Sequence, residues 1–297
     1  MKKSLLSVMA VLLCAFTVQA HDNGLMVAVQ FPDGNQPMID GNDDDWSMIP
    51  IDVYSLQNDR LNSLDGFAEA AGIEELDASS LNIRHLAGWN EASNHIYVTS
   101  RVYDDIHIIR RVDPGRFYWD DSGEVDINAL HETREQHNAG ETATSFSYTF
   151  AFPPVEGTFE WLRPNRNLSW LTSGSQWFTV DFGFEGDEFG ESTYIYEVAI
   201  QPISSMPKNN EATEGEVIIH DLTEGETVHI GIIVNEVDGG EGEDDNRIGQ
   251  WGTQVEGCCH ADMDLLIAPV DDSIAWPAGS NATAVETASW GMIKAQY

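Results

Sequence analysis

Short apolar, β-branched and aromatic runs recur along the chain, separated by Gly, Pro, Asn and Asp. Eight of them predict strands: residues 25–31, 95–103, 124–130, 145–152, 177–184, 193–200, 216–222 and 227–237. In residues 145–152 the alternation is strict. Phe146, Tyr148 and Phe150 share one face, and Ser145, Ser147 and Thr149 the other. A period of two with one apolar face belongs to antiparallel strands half buried against a second sheet. Helix signals are sparse. The clearest, Arg60–Leu76, has helix formers around an internal Gly72 and predicts a short helical insertion. No Pro- or Ser-rich linker and no repeat divides the chain. The pattern predicts an all-β protein, one antiparallel β-sandwich of jelly-roll or immunoglobulin-like type with long loops, over residues 21–297.

The first twenty residues change the picture of where this sandwich works. Lys2 and Lys3, an apolar run from Leu5 to Phe16, and the small-residue site Val18-Gln19-Ala20 form a secretory signal, with cleavage expected after Ala20. The run is too short to span a bilayer stably, and no later one is longer. The expected product is a secreted or periplasmic protein without a membrane span. Fifty acidic residues against 14 basic ones give a net charge of -36. Such a field excludes nucleic acid and anionic membrane surfaces as partners. Disorder does not follow from the acidity, because 42% apolar residues, with nine Trp, eight Tyr and twelve Phe, supply a core.

Carboxylate clusters on this background are candidate calcium ligands, since calcium takes six to eight oxygens. Asp40, Asp43 and Asp45 crowd the stretch MIDGNDDDWSMIP, residues 38–50. Gly41 follows the first Asp directly, so the spacing is not that of an EF-hand. The other reading is a packed turn, with Asp40 accepting backbone N–H bonds and Trp46 entering the core. Asp104 with Asp105, at a strand end, and Asp121 near Glu124 are further candidates. GGEGEDDNR, residues 239–247, copies six places of a calcium-binding nonapeptide once only, and reads as an acidic hairpin loop. Cys258 and Cys259, the cysteines left after signal removal, sit in CCHADMD, residues 258–264. An exported protein favours their disulfide; a soft-metal site is the alternative. His21 at a new N-terminus is a possible copper chelator, for which a second His is not evident. Asn167 and Asn281 head glycosylation sequons. No G-x-S-x-G, H-E-x-x-H or P-loop occurs, and no enzyme activity is expected.

Four segments in order carry a family resemblance: IDGNDDDW (39–46), AGWNEASNHIYVTSRVYDDIH (87–107), YWDDSGEVDINA (118–129) and YIYEVAIQP (194–202). Residues 225–251 and 289–297 follow more loosely. The series resembles family 9 carbohydrate-binding modules and their DOMON-like relatives, and departs from them at residues 153–176 and before residue 81. The resemblance implies a non-catalytic sandwich that binds a polysaccharide or glycan and holds structural calcium. It places stacking rings at Trp119 and Trp251, with Glu124, Arg116 and Gln250 to hydrogen-bond hydroxyls. Two other roles share the superfamily or the architecture. One is haem binding, with Met206 or His220 as ligands; the other is self-assembly in a surface matrix.

Overall fold

The computed structural model describes residues 24–64, 76–110, 114–133, 136, 139–155, 158–163, 168–238, 247–253 and 263–277. Its first strands are β1 (Leu25–Gln30), β2 (Leu56–Gln57), β3 (Asn62–Ser63), β4 (Leu81–Asn90) and β5 (His95–His107). Then come β6 (Ser122–Asn128), β7 (Thr142–Ala143), β8 (Phe146–Val155), β9 (Thr158–Arg163), β10 (Phe178–Gly186) and β11 (Gly190–Ile200). The last are β12 (Ile203–Pro207), β13 (Ile218–Ile219), β14 (Thr227–Val237), β15 (Arg247–Gly252) and β16 (Met263–Ile267). The all-β expectation holds; the longest described α-helical stretch is one turn, α1 (Ile51–Tyr54).

The main path runs β10-β11-β5-β4-β1-β16-β14-β6-β8-β9, with β15 paired to β14, β3 to β15 and β2 to β4. This long sheet folds over, so that its two halves face each other as a sandwich. Phe150 of β8 lies flat on Phe178 of β10, centroids 5.5 Å apart and planes at 8°, although the two strands stand near opposite ends of the path. Phe152 likewise stacks on Tyr196 at 5.0 Å. The inner faces are the apolar period-two positions: Val125 and Ile127 of β6, Phe146, Tyr148 and Phe150 of β8, and Val228, Ile230, Ile232 and Val234 of β14. Gly123 keeps the halves close, since a Cβ there would stand 2.9 Å from the Tyr196 ring.

Three details differ from the sequence reading. The seam strand β1 pairs in parallel with both β4 and β16, so the sandwich is not wholly antiparallel. The start of the expected helical insertion is extended instead: Asn58–Arg60 form a 3-10 turn and β3 pairs with β15, opposing Ser63 to Trp251. Residues 65–75 lie outside the described residues. Of the run 216–222 only Ile218–Ile219 is strand. Thr213 and Glu216 form a capping box around the 3-10 turn Glu214–Glu216, which satisfies backbone donors that a ladder would otherwise need.

Candidate functional site

The acidic opening segment packs on the outside of one half-sheet. Asn42 caps the 3-10 turn Asp43–Trp46, its side chain accepting from the Asp44 N–H at 3.1 Å. Trp46 is 2% exposed and meets Phe31 edge-on at 5.0 Å. Removing such a ring from water contributes about 3 kcal/mol. Gly41 is obligatory on two counts: its φ is +77°, and a Cβ would lie 2.1 Å from the Phe182 carbonyl carbon. Glu197 fastens the segment, accepting from Trp46 Nε1 at 2.8 Å and from the backbone N–H groups of Asp40 and Gly41 at 3.2 and 3.1 Å. Burial pushes its carboxyl up to about 7 against those three donors.

The aspartates of this segment each have a defined partner. Asp40 accepts the Asn42 N–H at 3.0 Å, and Asp45 the Met38 N–H at 2.9 Å. Asp43 receives Arg84 at 2.8 Å and Arg101 at 3.0 Å, and Arg101 also reaches Glu185. Asp40, Asp43 and Asp45 therefore act as a capped, arginine-neutralised turn around Trp46.

Asp104, Asp105 and Asp121 behave differently, because the fold adds Glu236 from β14 and Asp238 just after it, which the sequence reading did not single out. Asp104, Asp105, Glu236 and Asp238 offer carboxylate oxygens all within 4.8 Å of one another, and Asp104, His107 and Asp121 form an overlapping group. Asp104 and Asp121 are fully buried and Glu236 is 2% exposed. Asp104 Oδ2 and both Glu236 oxygens lack a hydrogen-bond partner among the described residues. Burial and the charges of Asp121 and Asp104 push the Glu236 carboxyl well above the usual range, and burial with Asp104 does the same to Asp121. His107 Nε2 donates to the Phe152 carbonyl, which aims Nδ1 at Asp104 (3.4 Å) and Asp121 (3.8 Å). Buried, unpaired acceptors of one sign demand protons or a cation. The donor set fits a hard divalent ion such as calcium, which takes carboxylate oxygens.

A cavity of about 340 Å³ adjoins this group. Leu76, Leu81 and Trp251 supply apolar wall, and Asp77, Ser80, Glu236 and Asp238 the polar one. Ser80 couples cavity to cluster, its hydroxyl donating to Asp105 Oδ1 at 2.9 Å. Trp251 Nε1 has no acceptor among the described residues.

The five residues that resemblance nominated for sugar do not gather in one place. Trp251 belongs to the inner apolar face. Glu124 and Gln250 lie on the opposite face of the same half-sheet, joined by Asn235, which donates to Glu124 at 3.0 Å and accepts from Gln250 at 2.9 Å. Trp119 ends a 3-10 turn and leans on Tyr118 at 5.2 Å, while Arg116 is exposed. That opposite face carries Ser122, Glu124, Asp126, Asn128, Ser147 and Thr149, each no more than 4% exposed. Met206 is buried in the core, and His220 holds Glu226 at 3.1 Å. Cys258, Cys259, His21 and most of residues 239–247 lie outside the described residues.

Among comparisons with known proteins, no family model and no curated protein matches this sequence. Several solved structures match, two of them family 9 carbohydrate-binding modules. A family 9 carbohydrate-binding module from Caldicellulosiruptor kristjanssonii in complex with cellotriose aligns over 85% of this chain and 98% of its own, with 14% identity and a TM-score of 0.50. A family 9 module from the same organism in complex with glucose aligns over 77% and 85%, with 15% identity and a TM-score of 0.44. The chain has the β-sandwich fold of the family 9 carbohydrate-binding modules.

Proposed function

We propose that this chain is an exported, non-catalytic glycan-binding module whose site is the cavity beside Trp251. The cavity itself supports the reading most strongly. A pyranose ring has an apolar C–H face and an edge of hydroxyls. An indole flanked by Leu76 and Leu81 complements the first, and Asp77, Ser80 and Asp238 the second. Its volume of about 340 Å³ lies within the range of small-ligand sites. The bound cellotriose of the similar module points to a β-glucan oligosaccharide as the first ligand to try.

Calcium belongs to the same proposal. Asp104, Asp105, Glu236 and Asp238 would hold it, and Glu236 and Asp238 also form cavity wall. The ion would neutralise buried carboxylates that otherwise repel, and so hold β5 and β14 together at the end of the sandwich. Isothermal titration with cello-oligosaccharides, with and without a chelator, tests both parts. Saturable binding weakened by Trp251→Phe and by Asp77→Ala is expected. No binding to any member of a glycan array, in calcium or in chelator, would overturn the proposal.

A further inference from the structure

A second group of metal-binding side chains stands on the opposite face of the same half-sheet: His131, His229 and Asp264. We propose that these three residues form a binding site for a divalent transition-metal ion of the zinc class. The group is separate from the acidic cluster. His229 and Glu236 lie near opposite ends of β14, and seven residues of strand span about 23 Å.

The geometry is that of converging ligands. His131 Nε2 lies 2.9 Å and His229 Nε2 3.4 Å from the same atom, Asp264 Oδ1, and the two imidazole centroids are 3.9 Å apart. A tetrahedral zinc ion bonded at 2.0–2.1 Å requires its ligand atoms about 3.3 Å apart. The observed separations bracket that value, so an ion enters with small side-chain movements. Two nitrogens and one carboxylate oxygen form a borderline donor set that suits zinc and its neighbours better than calcium.

The surroundings fix the ring atoms. His229 Nδ1 donates to the Glu132 carbonyl at 3.1 Å, which turns Nε2 toward Asp264. The Glu132 carbonyl is held in turn: Asn128 Nδ2 donates to it at 3.1 Å, and Asn128 Oδ1 accepts the Leu130 N–H at 3.1 Å. Strand register supplies the other two positions, since His229 stands opposite Asp264 on β16 and Asn128 on β6. Asp264 is fully buried and the His229 side chain 2% exposed, whereas that of His131 is 33% exposed. Solvent therefore reaches the site from the His131 side, where a water completes the coordination of a three-ligand ion.

Purified protein, stripped with chelator and titrated with zinc chloride, tests the assignment. One zinc per chain is expected by mass spectrometry of the dialysed protein, with cobalt substitution giving the visible absorption of a tetrahedral site. His131→Ala and His229→Ala should each weaken zinc binding about a hundredfold, through loss of a nitrogen ligand. Glu236→Gln, and the double variant Cys258→Ser with Cys259→Ser, should retain it. No zinc uptake, uptake unchanged in His131→Ala, or uptake lost only in the cysteine variant would each overturn the proposal. His131 is partly exposed, so its alanine variant should fold and decide the matter if His229→Ala does not.

Discussion

Glu197 makes a sharp prediction because one side chain ties the acidic opening segment to the sandwich. Its folded carboxyl is pushed up to about 7 from 4.5, burial outweighing three N–H donors. A raised pKa means that the folded state holds the proton more tightly than the unfolded state does. The contribution to stability is then fully present below pH 4.5 and is lost as pH rises through 7. A difference of 2.5 units at about 1.4 kcal/mol per unit sets an upper bound of about 3.5 kcal/mol. The perturbation is Glu197→Gln, which keeps an acceptor for the Trp46 indole or for the Asp40 and Gly41 amides but cannot ionise. Urea denaturation, followed by tryptophan fluorescence at half-unit steps from pH 4 to 8, reads the slope. Other buried carboxylates titrate as well, so the informative quantity is wild type minus variant. That difference should fall in the wild type's disfavour by about 2 to 3 kcal/mol across the window. A difference that is flat, or that moves the other way, would mean that the three donors outweigh burial and that Glu197 is ionised throughout.

Four further outcomes follow from the structure. Gly41→Ala combines a positive φ with a backbone clash, and should cost more than about 2 kcal/mol by chemical denaturation. Chelation of calcium should lower the melting temperature of wild type, and should change that of Asp104→Asn with Glu236→Gln far less; equal shifts would refute the ion's placement. Trp251→Ala should destabilise by about 3 to 5 kcal/mol, because the ring is core as well as cavity wall. Trp251→Phe is therefore the variant in which binding is measured. Arg84→Ala leaves Asp43 with Arg101 alone, and should cost about 1 kcal/mol, less in high salt.

Alternation made the sandwich legible, and breaks in alternation held information that the sequence reading passed over. The strand 227–237 was bounded as the structure has it, because its even positions are Val228, Ile230, Ile232 and Val234. The next even position is Glu236, an acid on the apolar side. In β5 the same series runs Ile96, Val98, Ser100 and Val102, then Asp104. An acid ending an inward-facing apolar series is a signal for a buried site, and two strands carry it at one end of the fold. Register decides which acids meet, so Asp104 was nominated from sequence while Glu236 and Asp238 were not. Strand parity also divides the proposed sugar residues: Gln250 and Trp251 are adjacent in sequence and so face opposite sides of the sheet.

The acidic stretch at residues 38–50 shows why carboxylate density alone is a poor guide to metal in a chain with 50 acidic residues. Acids at or near the surface have cheap partners in water, backbone N–H groups and arginine, and Asp40, Asp43 and Asp45 use the last two. Burial removes the cheap partners. Asp104 and Glu236 keep acceptors with none among the described residues, which is costly unless something cationic arrives. His229 contributes by orientation instead, its ring fixed by its own hydrogen bond and aimed at the buried Asp264 carboxylate. Both proposed ion sites thus rest on ligand atoms, most of them buried, that the fold brings within reach of one another. The two differ in donor chemistry, oxygen alone at Glu236 and two nitrogens with one oxygen at Asp264. Calcium should therefore stabilise wild type without displacing zinc from His131 and His229. Displacement of one ion by the other at equal concentration would show that a single site had been counted twice.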